Sequence, residues 1–98
     1  MKDSNGYSES ILPTRAGRCY VCGKETDTAR HEIFGGTANR KNSKAEGLWI
    51  NVCPKCHTLI HALPNEEYDL HLKRNAQWMY ECSHTRDEFI KLFGRNWL

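Results

Sequence analysis

The chain alternates short apolar runs with polar turns, and few of those runs are long. Thr28 to Phe34 reads as a short strand, broken by Gly35-Gly36. Asn39 to Glu46 is polar and reads as a short helix or an ordered loop closed by Gly47. Leu48-Trp49-Ile50-Asn51-Val52 has the β-branched and aromatic make-up of a strand and runs directly into Cys53. Pro54 suits a first helical position, and no breaker follows before Pro64, so a helix is expected from there to Leu63.

Two further helices follow. Asn65 is a good N-cap for one ending near Glu81, with Tyr68, Leu72, Ala76 and Met79 or Tyr80 on one face. Thr85-Arg86-Asp87-Glu88 has the form of a capping box, and the helix it opens buries Phe89, Ile90 and Phe93 and stops at Gly94. Residues 1–14 are polar and end near Pro13, the composition of a flexible arm with Ile11 and Leu12 turned to the core. The expected organisation is that arm and one α+β domain over 15–98. Residues 15–63 form its core and residues 64–98 a helical extension. Trp49, Trp78 and Trp97 read as core residues.

Ninety-eight residues with 39% hydrophobic content support only a small core, which needs a staple. Five cysteines supply one. No apolar run is long enough to cross a bilayer, and the amino terminus lacks the apolar stretch of a secretory signal. The expectation is a protein of the reducing cytoplasm, where paired cysteines bind metal rather than oxidise. The net charge of +2 says little about partners. Basic residues nevertheless outnumber acids up to His61, and Arg40, Lys41 and Lys44 form a patch free of acids.

Cys19-x-x-Cys22 and Cys53-x-x-Cys56 are two thiolate pairs of the spacing that presents four sulfurs to one tetrahedral Zn²⁺. The second pair opens the predicted helix, whose positive end favours thiolate over thiol. This zinc is expected to be structural. Cys82 has no partner near it in sequence and reads as a buried or half-buried cysteine. His57 and His61 follow directly, four residues apart on one helix face, the spacing at which two imidazoles grip a second ion. His71 and His84 fall outside this pattern.

His31 at the end of a first strand, Gly35-Gly36, a second strand and Cys53-x-x-Cys56-His57 with His61 together resemble the HNH, or ββα-metal, nuclease family. The run Arg30 to Arg40, Gly47-Leu48-Trp49 and the tail from Thr85 to Arg95 are similar to small bacteriophage HNH proteins, whose place of action is the bacterial host cytoplasm. The resemblance implies a metal-dependent endonuclease that hydrolyses DNA phosphodiester bonds. It implies His31 as general base, with His57 and His61 holding Mg²⁺ or a transition metal such as Mn²⁺ or Ni²⁺. Arg30, Arg40, Lys41 and Lys44 would hold the DNA backbone.

Two positions depart from the family pattern. Arg30 stands where many members carry a third metal ligand, and it cannot coordinate a cation. Glu32 could replace it, although strand alternation turns it from His31. Leu48 stands where the middle Asn is usual, leaving Asn39 or Asn51 for that role. No separate recognition element appears, so low sequence specificity is expected, with a homodimer or larger protein partner able to add more. The competing reading is a zinc-stabilised DNA- or protein-binding phage protein with weak or no cleavage.

Overall fold

A computed structural model describes residues 3–98; Met1 and Lys2, the first residues of the expected arm, lie outside the described residues. Two antiparallel strands and four helices follow in the order β1 (Ala29–Glu32), α1 (Thr37–Ala45), β2 (Trp49–Val52), α2 (Pro54–Ala62), α3 (Glu67–Glu81) and α4 (Arg86–Phe93). The class is α+β. His31 pairs with Ile50 and Arg30 with Asn51. Cross-strand partners share a face of the sheet, so His31 and Asn51 point to opposite sides.

The uncertain polar stretch after Gly36 is a helix, and one buried serine explains its placement. The Ser43 hydroxyl accepts from the Phe34 N–H and donates to the Phe34 carbonyl, both at 3.1 Å. This clamps α1 over the turn that leaves β1. α2 begins on Cys53, whose sulfur accepts the Cys56 N–H at 3.4 Å, with Pro54 in the first turn. α4 carries the capping box between Thr85 and Glu88 and ends on Gly94.

Phe34 is fully buried, with ring centroids 4.6 Å from Phe93, 5.0 Å from Trp97 and 5.2 Å from Phe89. Leu48, Ile50, Val52 and Ile60 continue this core under the sheet. Several expected positions differ. Tyr68 is 46% exposed and Trp78 65% exposed, while Asp69, Lys73 and Gln77 are buried on α3. Those polar groups satisfy one another. Lys73 Nζ lies 2.8 Å from Asp69 and 2.9 Å from Asn65 Oδ1, and Gln77 bonds Glu81, Asn96 and the Trp97 N–H. Asn65 is not the N-cap of α3 but a residue in left-handed backbone just before it. Ile90 faces outward and Cys82 is exposed.

The segment expected as a loose arm is held to the sheet from Tyr7 onward. The Ser8 N–H donates to the Lys44 carbonyl, and the Ile11 N–H to the Gly47 carbonyl, both at 2.9 Å. Leu12 is buried. Gly47 permits this approach. Its φ is +73°, and a Cβ there would run into the Glu9 carbonyl oxygen and Ile11. Gly47→Ala is therefore expected to lower stability by about 1–2 kcal/mol from backbone strain alone. A lower urea midpoint, with faster hydrogen exchange at the Ile11 amide, checks this.

Candidate metal sites

Two side-chain clusters could each hold a metal ion among the described residues. In the first, sulfurs from Cys19, Cys22, Cys53 and Cys56 all lie within 4.8 Å of one another, and Cys22 Sγ is 3.9 Å from Cys53 Sγ. A tetrahedral ion with Zn–S bonds of about 2.3 Å separates its sulfurs by about 3.8 Å, so the spacing fits a metal such as zinc. A turn supplies the first pair: the Gly23 N–H donates to the Cys19 carbonyl and the Cys19 N–H to the Lys24 carbonyl, both at 2.9 Å. The Tyr20 N–H reaches the Asn51 carbonyl at 2.8 Å and fixes that turn against β2.

Burial pushes the Cys19 thiol up, but backbone N–H groups of Cys22, Cys53 and Val21 outweigh it and bring the group down to about 6. Burial and the neighbouring thiols drive Cys56 well above its usual range. One favoured thiolate beside a suppressed one is the behaviour of crowded sulfurs, and a shared cation relieves it.

In the second cluster His31 comes from β1, and His57 and His61 come from adjacent turns of α2. One nitrogen from each ring lies within 4.8 Å of the others, and the two α2 Nε2 atoms are 3.0 Å apart. The His31 ring stands edge-on to both, at centroid distances of 5.2 and 5.1 Å. His31 is only 4% exposed and its Nε2 has no hydrogen-bond partner. Burial, then the nearby His57 and His61, carry its pKa down to about 4, against weaker opposition from Asp69 and Glu32. Burial also lowers His57. His31 is thus neutral near pH 7, the form that accepts a proton or a cation. His71 and His84 lie outside the cluster.

These three residues share a cavity of about 350 Å³ with Arg30, Glu32, Gly35, Gly36 and Arg40. Glu32 reaches it despite facing the other side of the sheet from His31. It is not free to act as a third ligand, because Oε2 accepts the Tyr7 hydroxyl at 2.9 Å and Oε1 accepts Arg40 Nε at 3.3 Å. Burial and Glu32 hold the Tyr7 phenol up at about 12, so it stays a donor. Arg30 is drawn to the amino-terminal segment, 2.8 Å from the Asp3 carboxylate with its guanidinium 4.4 Å from the Tyr7 ring centroid. Arg40 also lines a neighbouring groove with Lys41, Lys44, Asn5, Gly6 and Thr37.

Neither candidate for the middle asparagine stands beside His31. Asn51 faces away, its amide donating to the Thr14 hydroxyl at 3.3 Å, and Asn39 does not line the histidine cavity. Sequence patterns missed Tyr7, whose hydroxyl bonds the Glu32 carboxylate that lines this cavity. Tyr7 is far from the site in sequence, so no local pattern could place it there. No protein-family model matches this chain, and no curated protein or solved structure is significantly similar to it. No helix among the described residues is long and apolar enough to cross a membrane.

Proposed function

We propose that this chain is a metal-dependent endonuclease of the HNH, ββα-metal type, hydrolysing DNA phosphodiester bonds with little sequence specificity of its own. The observation that carries this reading is the convergence of His31, His57 and His61 in one cavity flanked by Arg30 and Arg40. The four thiolates hold a structural zinc that ties the Cys19 turn to the start of α2 and so sets the direction in which His57 and His61 project. Those two imidazoles hold the catalytic divalent ion, with a donor set better suited to Mn²⁺ or Ni²⁺ than to Mg²⁺. Such an ion, when bound, neutralises charge on the phosphate and on the leaving oxygen.

His31 does the proton chemistry. Its neutral ring takes a proton from water, the water oxygen bonds to phosphorus, and the bond from phosphorus to the 3′ oxygen breaks. That oxygen then takes up a proton. Arg40, Lys41 and Lys44 hold backbone phosphates along the groove beside the cavity. The Arg40→Ala, Lys41→Ala, Lys44→Ala triple variant should flatten the salt dependence of DNA binding. The log–log slope should fall by about 0.9 for each phosphate that these side chains no longer neutralise.

The alternative is a zinc-stabilised DNA- or protein-binding protein without cleavage. It is favoured by Arg30, which occupies the family's third-ligand position and pairs with Asp3. Supercoiled plasmid incubated with Mg²⁺, Mn²⁺ or Ni²⁺, with and without EDTA, separates the two. Cation-dependent nicking supports the nuclease; retarded plasmid without nicking in any of the three ions supports the binder.

A further inference from the structure

Residues 3–8 border each of the four cations expected to hold the DNA backbone, and they bring a single carboxylate with them, that of Asp3. Asn5 and Gly6 share a groove with Arg40, Lys41 and Lys44. The Tyr7 ring centroid lies 5.0 Å from Lys44 Nζ, and the Tyr7 hydroxyl donates to the Glu32 carboxylate that also accepts Arg40. Asp3 goes to the fourth cation: Arg30 Nη1 donates to its Oδ2 at 2.8 Å. The other oxygen, Oδ1, accepts the Asn5 and Tyr7 N–H groups at 2.9 and 3.0 Å, so a turn presents this carboxylate to the guanidinium.

Arg30 does not depend on Asp3 for its position. Its guanidinium lies over both the Tyr7 and Trp49 rings, 4.4 and 5.0 Å from their centroids, and lines the edge of the histidine cavity. Asp3 takes a single donor of that guanidinium, and no other acceptor meets Arg30 among the described residues. Both side chains of the pair are 39% exposed, so the contact is open to a ligand. An exposed ion pair through one bond contributes little, whereas a phosphate offers two oxygens to the guanidinium fork. A weakly held internal anion thus sits on a cation that is already in place beside the three histidines.

We infer that Asp3 stands in for a phosphate: Arg30 is a site for a phosphodiester of the DNA backbone, held in the free chain by the protein's own carboxylate, which the substrate displaces. Displacement leaves the guanidinium over its two rings and adds it to the cations of the adjoining groove. The ligand's identity as a DNA phosphodiester rests on the nuclease reading; the occupied site itself stands on the geometry of Asp3, Arg30 and the two rings.

Binding of a short DNA duplex to the zinc-loaded full chain, with no second cation, tests the stand-in. Asp3→Asn keeps the Oδ1 acceptor of the turn and removes the charge that faces Arg30. Asp27→Asn, at an exposed position outside this contact, removes the same charge elsewhere and serves as the control. Asp3→Asn should bind the duplex about threefold more tightly than Asp27→Asn, the scale of an exposed ion pair. That gain should vanish when Arg30→Gln is also present, because the two side chains act through one contact. Arg30→Gln alone should lower the log–log salt slope by about 0.9, the loss of one phosphate contact. An Asp3→Asn variant that binds no tighter than the control, a gain that survives Arg30→Gln, an unchanged slope in Arg30→Gln, or a parent chain that does not bind the duplex overturns the assignment. Nicking of plasmid by a protein whose Asp3→Asn variant matches the control would remove the stand-in and leave the nuclease. The expected binding results in a protein that never nicks would keep the phosphate site and remove the nuclease.

Discussion

Cys53→Ser is expected to abolish cooperative folding. The sulfur of Cys53 does two jobs: it caps α2 by accepting the Cys56 N–H, and it stands 3.9 Å from Cys22 Sγ within the four-sulfur cluster. Serine retains a capping oxygen, so the variant isolates the loss of the thiolate. Structural zinc in small domains contributes about 10–16 kcal/mol, as much as or more than the whole stability of about 5–15 kcal/mol typical of a folded domain. Far-UV circular dichroism and amide dispersion should collapse toward an unfolded chain. A strong chelator should do the same to the parent protein, reversibly on return of Zn²⁺. Cys82→Ser, at an exposed position outside the cluster, should unfold with an unchanged midpoint. A Cys53→Ser protein that melts cooperatively near the parent midpoint would remove zinc from the account of the fold.

The second large effect is expected from exchanging the histidines one at a time. His31→Gln should reduce nicking by about 10²–10⁴-fold, the range for loss of a general base. It should leave cation affinity within a few-fold of the parent, because the His57–His61 pair persists. His57→Ala removes a ligand and should cost cation affinity more than the roughly 10–100-fold lost when only a supporting residue is removed. Its nicking should recover in part at high Mn²⁺ or Ni²⁺. The two variants should therefore differ in binding while both lose cleavage. Equal loss of cation affinity in both would place His31 among the ligands, as its closeness to the other two nitrogens permits, and would remove it as the base.

The four-cysteine and histidine spacings were legible because they depend on local geometry. Two residues between cysteines on a turn, and four residues between histidines on a helix, set side-chain direction without reference to the rest of the chain. The α+β element order was legible for a similar reason: Pro54, the Thr85–Glu88 box and Gly94 mark helix ends chemically. What escaped was long-range. Tyr68 fits the apolar period of α3, yet that face is shared by Asp69, Lys73 and Gln77, whose burial depends on partners from Asn65 to Trp97. Periodicity assumes that polar residues seek water, and it fails where they satisfy one another. Alternation along β1 set Glu32 apart from His31, although its carboxylate enters the cavity. Tyr7 and Asp3 reach Glu32 and Arg30 only because Gly47 lets the amino-terminal segment lie against β2.

Ring ¹H–¹⁵N spectra of the five histidines, recorded as a second equivalent of Zn²⁺ is added to protein already holding one, bear most directly on a cation pocket distinct from the thiolate cluster. His31, His57 and His61 should respond together and saturate at that equivalent, with His71 and His84 unmoved. Rings that ignore the added ion, or a response led by His71 or His84, would contradict the pocket and the chemistry built on it.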